Sequence, residues 1–179
     1  MRESNVLIAG FGGQGILFAG KFLAYTGLIS NRQVSWLPSY GPEMRGGTAN
    51  CSVIISDSPI GSPIVTQPGI LVVLNTPSLD HFEPNCMEGG SVFINSSLIA
   101  RKLNRSDLTG FYIPATKMAD ENGLDGLANM IMLGKLIKET NICSYNDIEP
   151  ALKKAVPERK EDLYDSNLKA LNMGYNYTS

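Results

Sequence analysis

Apolar residues form short continuous runs in the first half of the chain and recur at helical spacing in the second half. Continuous apolar runs predict strands buried on both faces of a sheet, because such strands have no solvated side on which polar residues would alternate. The strands predicted in this way are Asn5–Ala9, Val34–Leu37, Thr48–Ser56, Ile70–Leu74, Ser91–Asn95 and Phe111–Ile113.

Helices are predicted where apolar and small residues recur every three or four positions. The first follows Gly15, where Ile16, Gly20, Leu23 and Gly27 share one face. A second opens at Thr76-Pro77, with Thr76 as the expected N-cap residue. The others span about Thr116–Glu121, Gly126–Thr140, Asn146–Val156 and Glu158–Leu171, and Ser144 with Asp147 resembles a capping box.

Strands interleaved with helices predict a Rossmann-like α/β fold, a three-layer sandwich with a mainly parallel sheet and helices on both faces. Glycine and charge are unevenly distributed, since 13 of the 18 glycines lie in residues 1–100. No Gly/Ser or Pro tract separates the two halves, and no internal repeat is present. We therefore expect residues 1–179 to form a single domain.

Composition narrows the classes of function. A net charge of -2 with a pI near 5.4 disfavours a general nucleic-acid-binding protein, and no apolar run approaches the ~20 residues that span a membrane. Cys51, Cys86 and Cys143 are widely spaced without a CxxC pair, so we expect no metal site and no cofactor bound by this chain alone. Sparse, unpaired cysteines favour a cytoplasmic location.

The segment between the first strand and the first helix matches the pattern GxGxxG. Glycines there allow a tight turn, and the N-terminus of the helix favours an anion. A dinucleotide site also requires an acidic residue ~20 positions later, but the stretch Gly27–Gln33 has none, and Arg32 is the only residue suited to a 2′-phosphate. NAD binding is therefore not expected, and a close strand–helix turn that binds nothing remains an alternative. The candidate residues for a phosphate or coenzyme A loop are Gly10, Gly12, Gly13, Gln14 and Gly15.

A second candidate loop, from Pro38 to Gly47, combines a phenol, a carboxylate and a guanidinium with backbone-restricting residues. If the first two strands are parallel, it leaves the same edge of the sheet as the glycine loop, and that edge binds ligands in open α/β folds. A simple connection with a local Glu43–Arg45 pair is the alternative. We expect a surface for a partner or ligand, formed by Tyr40, Glu43, Arg45, Gly46 and Gly47.

No arrangement for nucleophilic catalysis is evident. His81 is the only histidine, and it is expected on a helix surface. Cys51 and Cys86 are expected to be small buried apolar residues. The Gly126–Thr140 helix is apolar nearly all round, so we expect it to be buried within the domain or against another chain.

Three stretches together resemble the gamma subunit of 2-oxoacid:ferredoxin (acceptor) oxidoreductases. They are the strand–GFGGQGI–helix opening, the segment Ser39–Asp57 (SYGPEMRGGTANCSVIISD) and the helix Ala128–Gly134 (ANMIMLG). The similarity covers essentially the whole chain. The loop from Glu43 to Thr48 is more similar to the 2-oxoglutarate type than to the pyruvate type, and Pro42-Glu43 departs from the indolepyruvate type.

This resemblance implies a multisubunit enzyme that decarboxylates a 2-oxoacid oxidatively, forms an acyl-CoA and reduces ferredoxin or a similar acceptor. The complex is implied to use thiamine diphosphate with Mg, iron–sulfur clusters and coenzyme A, and to contain alpha, beta and delta subunits. Within it, this chain is implied to be structural or close to coenzyme A, without catalytic residues and inactive alone. Whether the isolated chain pairs with a second copy stays open.

Two alternatives remain at this point. The chain could serve a complex for another 2-oxoacid, namely pyruvate, a branched-chain oxoacid or indolepyruvate. It could instead be an independent nucleotide-dependent oxidoreductase that uses the glycine loop. The missing ribose-binding acid favours the subunit interpretation.

Overall fold

The computed structural model describes residues 3–39, 49–160 and 162–178. Its strands are β1 (Glu3–Gly10), β2 (Gln33–Ser39), β3 (Ala49–Ser56), β4 (Ile70–Val73), β5 (Ser91–Asn95) and β6 (Thr109–Ile113). Its α-helices are α1 (Ile16–Ile29), α2 (Thr76–Phe82), α3 (Ala115–Glu121), α4 (Ala128–Thr140), α5 (Ile148–Ala155) and α6 (Asp162–Asn176). Short 3-10 turns occupy Glu83–Asn85, Tyr145–Asp147 and Glu158–Lys160.

The strands that the structure describes form one six-stranded mixed sheet in the order β2-β3-β1-β4-β5-β6. The pairs β1–β4, β4–β5 and β5–β6 are parallel, whereas β3 runs antiparallel to both β1 and β2. Five strands therefore share one direction, and β3 departs from the parallel arrangement. The nine residues between β2 and β3 are fewer than a parallel crossover needs, so the chain must return antiparallel.

The two faces of the sheet bury alternate residues of the same strands. Val6 and Ile8 of β1 face the larger core, formed with α1, α4, α5 and α6, whereas Leu7 faces a smaller core around Leu79 of α2. Helices thus cover both faces, as predicted for an α/β sandwich, but the α2 face carries much less helix.

Helix α4 is buried along most of its length, from Asn129 to Ile137. It packs between the sheet and α6, with further contacts to α1 and α3. This position accounts for its nearly uniform apolar sequence. The helix is therefore buried within the domain, the first of the two environments predicted for it.

Two predicted helix caps had different outcomes. Ser144 and Asp147 form the expected capping box, at the 3-10 turn that precedes α5. The prediction for α2 was wrong by one residue, because Asn75 rather than Thr76 is its N-cap. The Asn75 side-chain oxygen accepts a hydrogen bond from the Ser78 backbone N–H at 2.8 Å, and Thr76 already lies in the first turn. None of the described helices contains an apolar stretch long enough to cross a bilayer.

Candidate functional site: the glycine loop and its cleft

The glycine loop joins the carboxyl end of β1 to the first turn of α1, as the sequence predicts. Gly13 and Gly15 both have left-handed backbone angles, with φ of 89° and 70°. A side chain at Gly15 would in addition collide with the Asn129 amide of α4. The loop therefore requires glycine at these positions, for its backbone angles and for close contact with α4.

Gln14 closes the inner side of this loop. Its Oε1 accepts a hydrogen bond from the Phe11 backbone N–H at 2.7 Å, and its Nε2 donates to the Leu74 carbonyl oxygen at 3.3 Å. The side chain thereby ties the loop to the end of β4. Because Gln14 takes the Phe11 N–H, that group is not free to bind a phosphate.

The outer side of the loop is open. Gly12 and Gly13 are exposed, and apart from their chain neighbours no heavy atom lies within 4 Å of the position where a side chain would begin. Among the described residues no side chain caps the N-terminus of α1, and its first turn contains no acidic residue. The uncapped backbone N–H groups and the helix dipole make this end of α1 favourable for an anion.

A cleft of about 570 Å³ opens beside the loop, between α1, the start of α4 and the α5–α6 junction. We call it the asparagine cleft, because Asn129 of α4 and Asn167 of α6 both line it. It contains two lysines and several apolar side chains. Its lining residues are Gly13, Gly15, Phe18, Lys21, Gly126, Leu127, Asn129, Ala155, Val156, Pro157, Lys160, Leu163 and Asn167.

Sequence patterns did not single out either asparagine as a site residue. Asn129 is the one polar residue in the apolar run Leu127–Leu133, and that anomaly was the available signal. Its Nδ2 donates to the Gly15 carbonyl oxygen at 3.0 Å, a contact between residues 114 positions apart. Asn167 lies in a mixed polar helix and carried no signal.

The remaining parts of a dinucleotide site are not assembled around this loop. Arg32 precedes β2, at the opposite edge of the sheet from Gly10, a separation of roughly 23 Å along β1. Its guanidinium pairs with Asp57 at 2.8 Å and donates to the carbonyl oxygens of Ile55 and Ile142. The suggested role for Arg32 at a 2′-phosphate is therefore wrong. In addition, β3 separates β2 from β1, whereas the dinucleotide fold places these strands side by side.

The second predicted loop begins and ends at the same sheet edge as the glycine loop. Ser39 pairs with Asn50 and Gly10 pairs with Ala49, so β2, β3 and β1 meet at that edge. β1 and β2 therefore run in the same direction, which confirms the condition on which the prediction of a partner or ligand loop depended. Tyr40, Glu43, Arg45, Gly46 and Gly47 themselves lie outside the described residues.

His81, Cys51 and Cys86 lie where the sequence predicts. His81 is exposed on α2, where its ring contacts the edge of Phe82. Cys51 and Cys86 are buried, and burial raises the pKa of the Cys51 thiol to about 12 and that of Cys86 to about 11. Such thiols are poor nucleophiles and poor metal ligands near neutral pH. No group of three His, Cys, Asp or Glu side chains suited to a metal ion occurs among the residues described.

Comparison with known proteins places this architecture in a family. The model for pyruvate ferredoxin/flavodoxin oxidoreductase matches residues 5–177. The ketoisovalerate oxidoreductase subunit VorA of Methanothermobacter marburgensis is 40% identical over 176 residues, covering 97% of this chain and 36% of that subunit. The 2-oxoglutarate synthase subunit KorC of Methanocaldococcus jannaschii is 39% identical over 176 residues, covering 97% of this chain and 92% of KorC.

A solved structure shows the same fold. The gamma subunit of a keto/oxoacid ferredoxin oxidoreductase from Geobacter sulfurreducens superimposes with a TM-score of 0.83 at 29% identity, covering 96% of both chains. The chain thus corresponds to about a third of VorA but to nearly the whole of KorC and of this gamma subunit. It belongs to the pyruvate ferredoxin/flavodoxin oxidoreductase family.

Proposed function

We propose that this family member is the gamma subunit of a multisubunit 2-oxoglutarate:ferredoxin oxidoreductase. In that reaction 2-oxoglutarate, coenzyme A and two oxidised ferredoxins yield succinyl-CoA, CO₂, a proton and two reduced ferredoxins. The observation that carries the proposal is the match to KorC over 92% of its length, since a relative of the same size fits the role of a separate subunit. The loop from Glu43 to Thr48 agrees with the 2-oxoglutarate type.

We propose that residues 1–179 act as one gamma domain beside alpha, beta and delta subunits, in the cytoplasm. Thiamine diphosphate, Mg and the iron–sulfur clusters belong to the other subunits in this proposal. The cysteines here do not fit a cluster, because Cys51 and Cys86 are buried in different cores of the sheet. In this proposal the chain binds and positions other components of the complex and supplies no reacting group.

The residues of the glycine loop fit the phosphate end of coenzyme A. The exposed backbone at Gly12 and Gly13, the uncapped start of α1 and the Lys21 side chain together provide donors and positive charge. When bound, coenzyme A supplies the thiol that accepts the acyl group. The part of this chain is to hold the anionic end of that cofactor near the other subunits.

The second candidate function is the same subunit role in a complex that acts on a different 2-oxoacid. The 40% identity to VorA, whose name specifies ketoisovalerate, favours a branched-chain substrate to nearly the same degree as KorC favours 2-oxoglutarate. The shorter coverage of VorA places it second. An independent nucleotide-dependent oxidoreductase is disfavoured. Arg32 pairs with Asp57 instead of lying at the glycine loop, and β3 separates β1 from β2, so the described residues do not form the ribose-binding part of a dinucleotide site.

The test is reconstitution of the complex with a tag on this chain. The chain is co-expressed with alpha, beta and delta subunits from its own genome, and viologen reduction is assayed with coenzyme A and one oxoacid at a time. We expect turnover of 2-oxoglutarate to exceed that of pyruvate, 3-methyl-2-oxobutanoate and indolepyruvate, and to vanish without coenzyme A. Preference for 3-methyl-2-oxobutanoate would instead select the branched-chain candidate. Turnover by this chain alone would contradict the subunit role.

A further inference from the structure

The outer edge of β2 is not paired with any strand that the structure describes. β2 is the terminal strand of the sheet, and its one strand neighbour among the described residues is β3. Natural proteins usually protect such edges with charged side chains or very short strands, because an open edge pairs readily with another chain. The seven residues Gln33–Ser39 include no charged side chain. At the other end of the sheet, β6 has only five residues, and Lys102 lies over the ring of its Tyr112.

The hydrogen bonds of β1 show which backbone groups of β2 point outward. The carbonyl oxygens of Asn5 and Ala9 accept hydrogen bonds from the residues that flank β4. Because backbone groups alternate in direction along a strand, the intervening Ile8 bonds to its partner Cys51 on β3. Cys51 thus turns its backbone groups toward β1 and away from Pro38, its neighbour on β2. Pro38 and every second residue before it therefore point their backbone groups away from the sheet.

The outward-facing residues of β2 are Val34, Trp36 and Pro38. They offer two N–H donors, at Val34 and Trp36, and three carbonyl acceptors. Pro38 has no N–H, and an outward position on an edge strand is where a sheet tolerates proline. No group in the described part of the chain accepts a hydrogen bond from either donor. Donors and acceptors that alternate at this spacing are complementary to another extended backbone.

Exposed apolar side chains lie along the same edge. Trp36 is 39% exposed, and Leu37, on the opposite face of the sheet, is 38% exposed. The indole nitrogen of Trp36 lies so close to Gly20 of α1 that a β-carbon on Gly20 would come within 3.0 Å of it. The ring is thus held against α1 while part of it remains open to solvent. A partly buried aromatic side chain that is already held in place is a typical anchor of a protein interface.

Strand β2 is complementary to a second copy of itself. When two β2 strands pair antiparallel and overlap over all seven residues, Trp36 lies opposite the same residue of the second copy. These two residues then exchange both of their backbone hydrogen bonds, and each Val34 N–H donates to the Pro38 carbonyl oxygen of the other copy. Every outward N–H group is satisfied in this register, and any shift of one copy along the other shortens the overlap. Because β2 has no charged side chain, its pairing brings no like charges together across the strands.

We propose that this chain pairs with a second copy of itself through antiparallel β2 strands centred on Trp36. The two sheets then join into one continuous sheet. A second copy is the occupant because the register that covers the whole strand also satisfies all of its outward N–H groups and places the two exposed Trp36 side chains together. The proposal does not rest on the proposed function, since it concerns the pairing of this chain with itself. It adds to that function the requirement that an assembled complex contains two copies of this chain.

Cysteine cross-linking of the full chain tests the register. In the proposed pair, Ser35 of one copy lies opposite Leu37 of the other at a position without backbone hydrogen bonds, where the α-carbons are about 4.5 Å apart and a disulfide can form. Ser35→Cys and Leu37→Cys proteins are mixed and oxidised mildly, and mass spectrometry identifies the joined peptides. We expect a disulfide between the two variants. Ser35→Cys mixed with Leu98→Cys should give none, and oxidised wild type controls for the native cysteines.

A charge on the same edge should separate the two copies. Leu37→Lys places two lysines roughly 7–8 Å apart across the proposed pair and removes two apolar side chains from it. The dissociation constant of the dimer, measured by sedimentation equilibrium, should rise about tenfold or more relative to wild type. Leu98→Lys is the matched control, because Leu98 is 48% exposed and follows β5, away from β2. Circular dichroism verifies that both variants are folded.

Three outcomes would overturn the proposal. The first is a wild-type chain that sediments as a monomer at its highest soluble concentration. The second is a dimer whose dissociation constant is the same for wild type and Leu37→Lys, or in which Ser35→Cys and Leu37→Cys do not cross-link. The third is an assembled complex in which these cysteines are joined to a different subunit and not to the second copy. None of these measurements uses turnover as its readout, so their failure is distinguishable from failure of the proposed function.

Discussion

Gly134 of α4 and Gly174 of α6 lie where the two helices approach most closely. A β-carbon on Gly134 would overlap the carbonyl oxygen of Leu171, and one on Gly174 would overlap the carbonyl oxygen of Ile131. Each helix thus requires glycine opposite the backbone of the other. Because α6 holds Asn167 and α4 holds Asn129, this crossing also fixes the two walls of the asparagine cleft relative to each other.

We therefore expect Gly134→Ala to destabilise the protein. The added methyl group cannot fit without separating α4 from α6, which should cost about 1–3 kcal/mol or more of unfolding free energy, as overpacking does elsewhere. Urea unfolding followed by circular dichroism measures the change. Gly61→Ala is the control, since Gly61 has open space around it and should change stability by less than about 1 kcal/mol. Equal stability of the two variants would show that the helices separate easily.

Glu83 anchors the loop before β6, and its removal should be costly. Glu83 as a residue is 2% exposed, and its carboxylate accepts hydrogen bonds from the backbone N–H groups of Asn104 and Arg105 and pairs with Arg101 at 2.8 Å. Glu83→Gln should lower the unfolding free energy by about 1.5–3 kcal/mol, the usual contribution of hydrogen bonds to a charged group.

The same arginine provides the control for this prediction. Asp80 also pairs with Arg101, at 2.7 Å, but its side chain is mostly exposed. Asp80→Asn should cost at most about 1 kcal/mol because solvent screens the pair. Chemical denaturation of both variants at one pH tests the contrast, and similar losses would contradict the dominant role of Glu83.

The thiols should make the protein less stable in alkali. Burial raises the pKa of Cys51 from 9.0 to about 12 and those of Cys86 and Cys143 to about 11. The unfolded chain releases these protons first, so the stabilisation is complete below pH 9 and is lost as the pH rises toward 11–12. Unfolding free energies measured between pH 8 and 10.5 should fall, and less steeply for Cys51→Ala.

The same burial predicts slow thiol labelling. Only a small fraction of each thiol is ionised near pH 8, and the thiolate is the reactive form. Iodoacetamide should therefore label the native protein far more slowly than the urea-unfolded protein. Rapid labelling of Cys51 in the native state would contradict its buried position.

The glycine loop should bind coenzyme A in preference to NAD. Gly12→Asp introduces no steric conflict but places a negative charge at the start of α1, so it should weaken coenzyme A binding by about 0.3–2 kcal/mol. Gly61→Asp is the charge-matched control and should have no effect. Calorimetry on the complex measures both. Micromolar affinity for NAD would contradict the absence of a ribose contact.

Arg45 should anchor the Tyr40–Gly47 loop to a partner or ligand. A guanidinium suits a carboxylate or phosphate, and Gly46-Gly47 allows another backbone to approach. If Arg45 is buried against the other subunits, Arg45→Ala should cost about 2–5 kcal/mol of association and reduce recovery of the complex. If it pairs only with Glu43 at the surface, the cost should be at most about 1 kcal/mol. Pull-down of the other subunits by wild type, Arg45→Ala and Lys154→Ala decides between these outcomes.

Local sequence patterns were enough to predict where the strands lie. All six predicted strands are present, because continuous apolar runs mark buried strands wherever they lie in the sheet. The glycine loop could be identified because the left-handed backbone angles at Gly13 and Gly15 favour glycine locally, whatever the rest of the fold. The burial of α4 followed from its composition, and His81 is exposed, as expected for a histidine on a helix surface.

Contacts between residues far apart in the chain became evident only from the packing of the whole fold. Periodicity marks a strand but not its neighbours, so the insertion of antiparallel β3 between β1 and β2 was not evident, and with it the placement of Arg32 at the far edge of the sheet. Asn129 reaches Gly15 across 114 positions, and α6 brings Asn167 to the same cleft. Such contacts depend on how whole helices and strands pack together, and a pattern read over a few neighbouring residues does not contain that information.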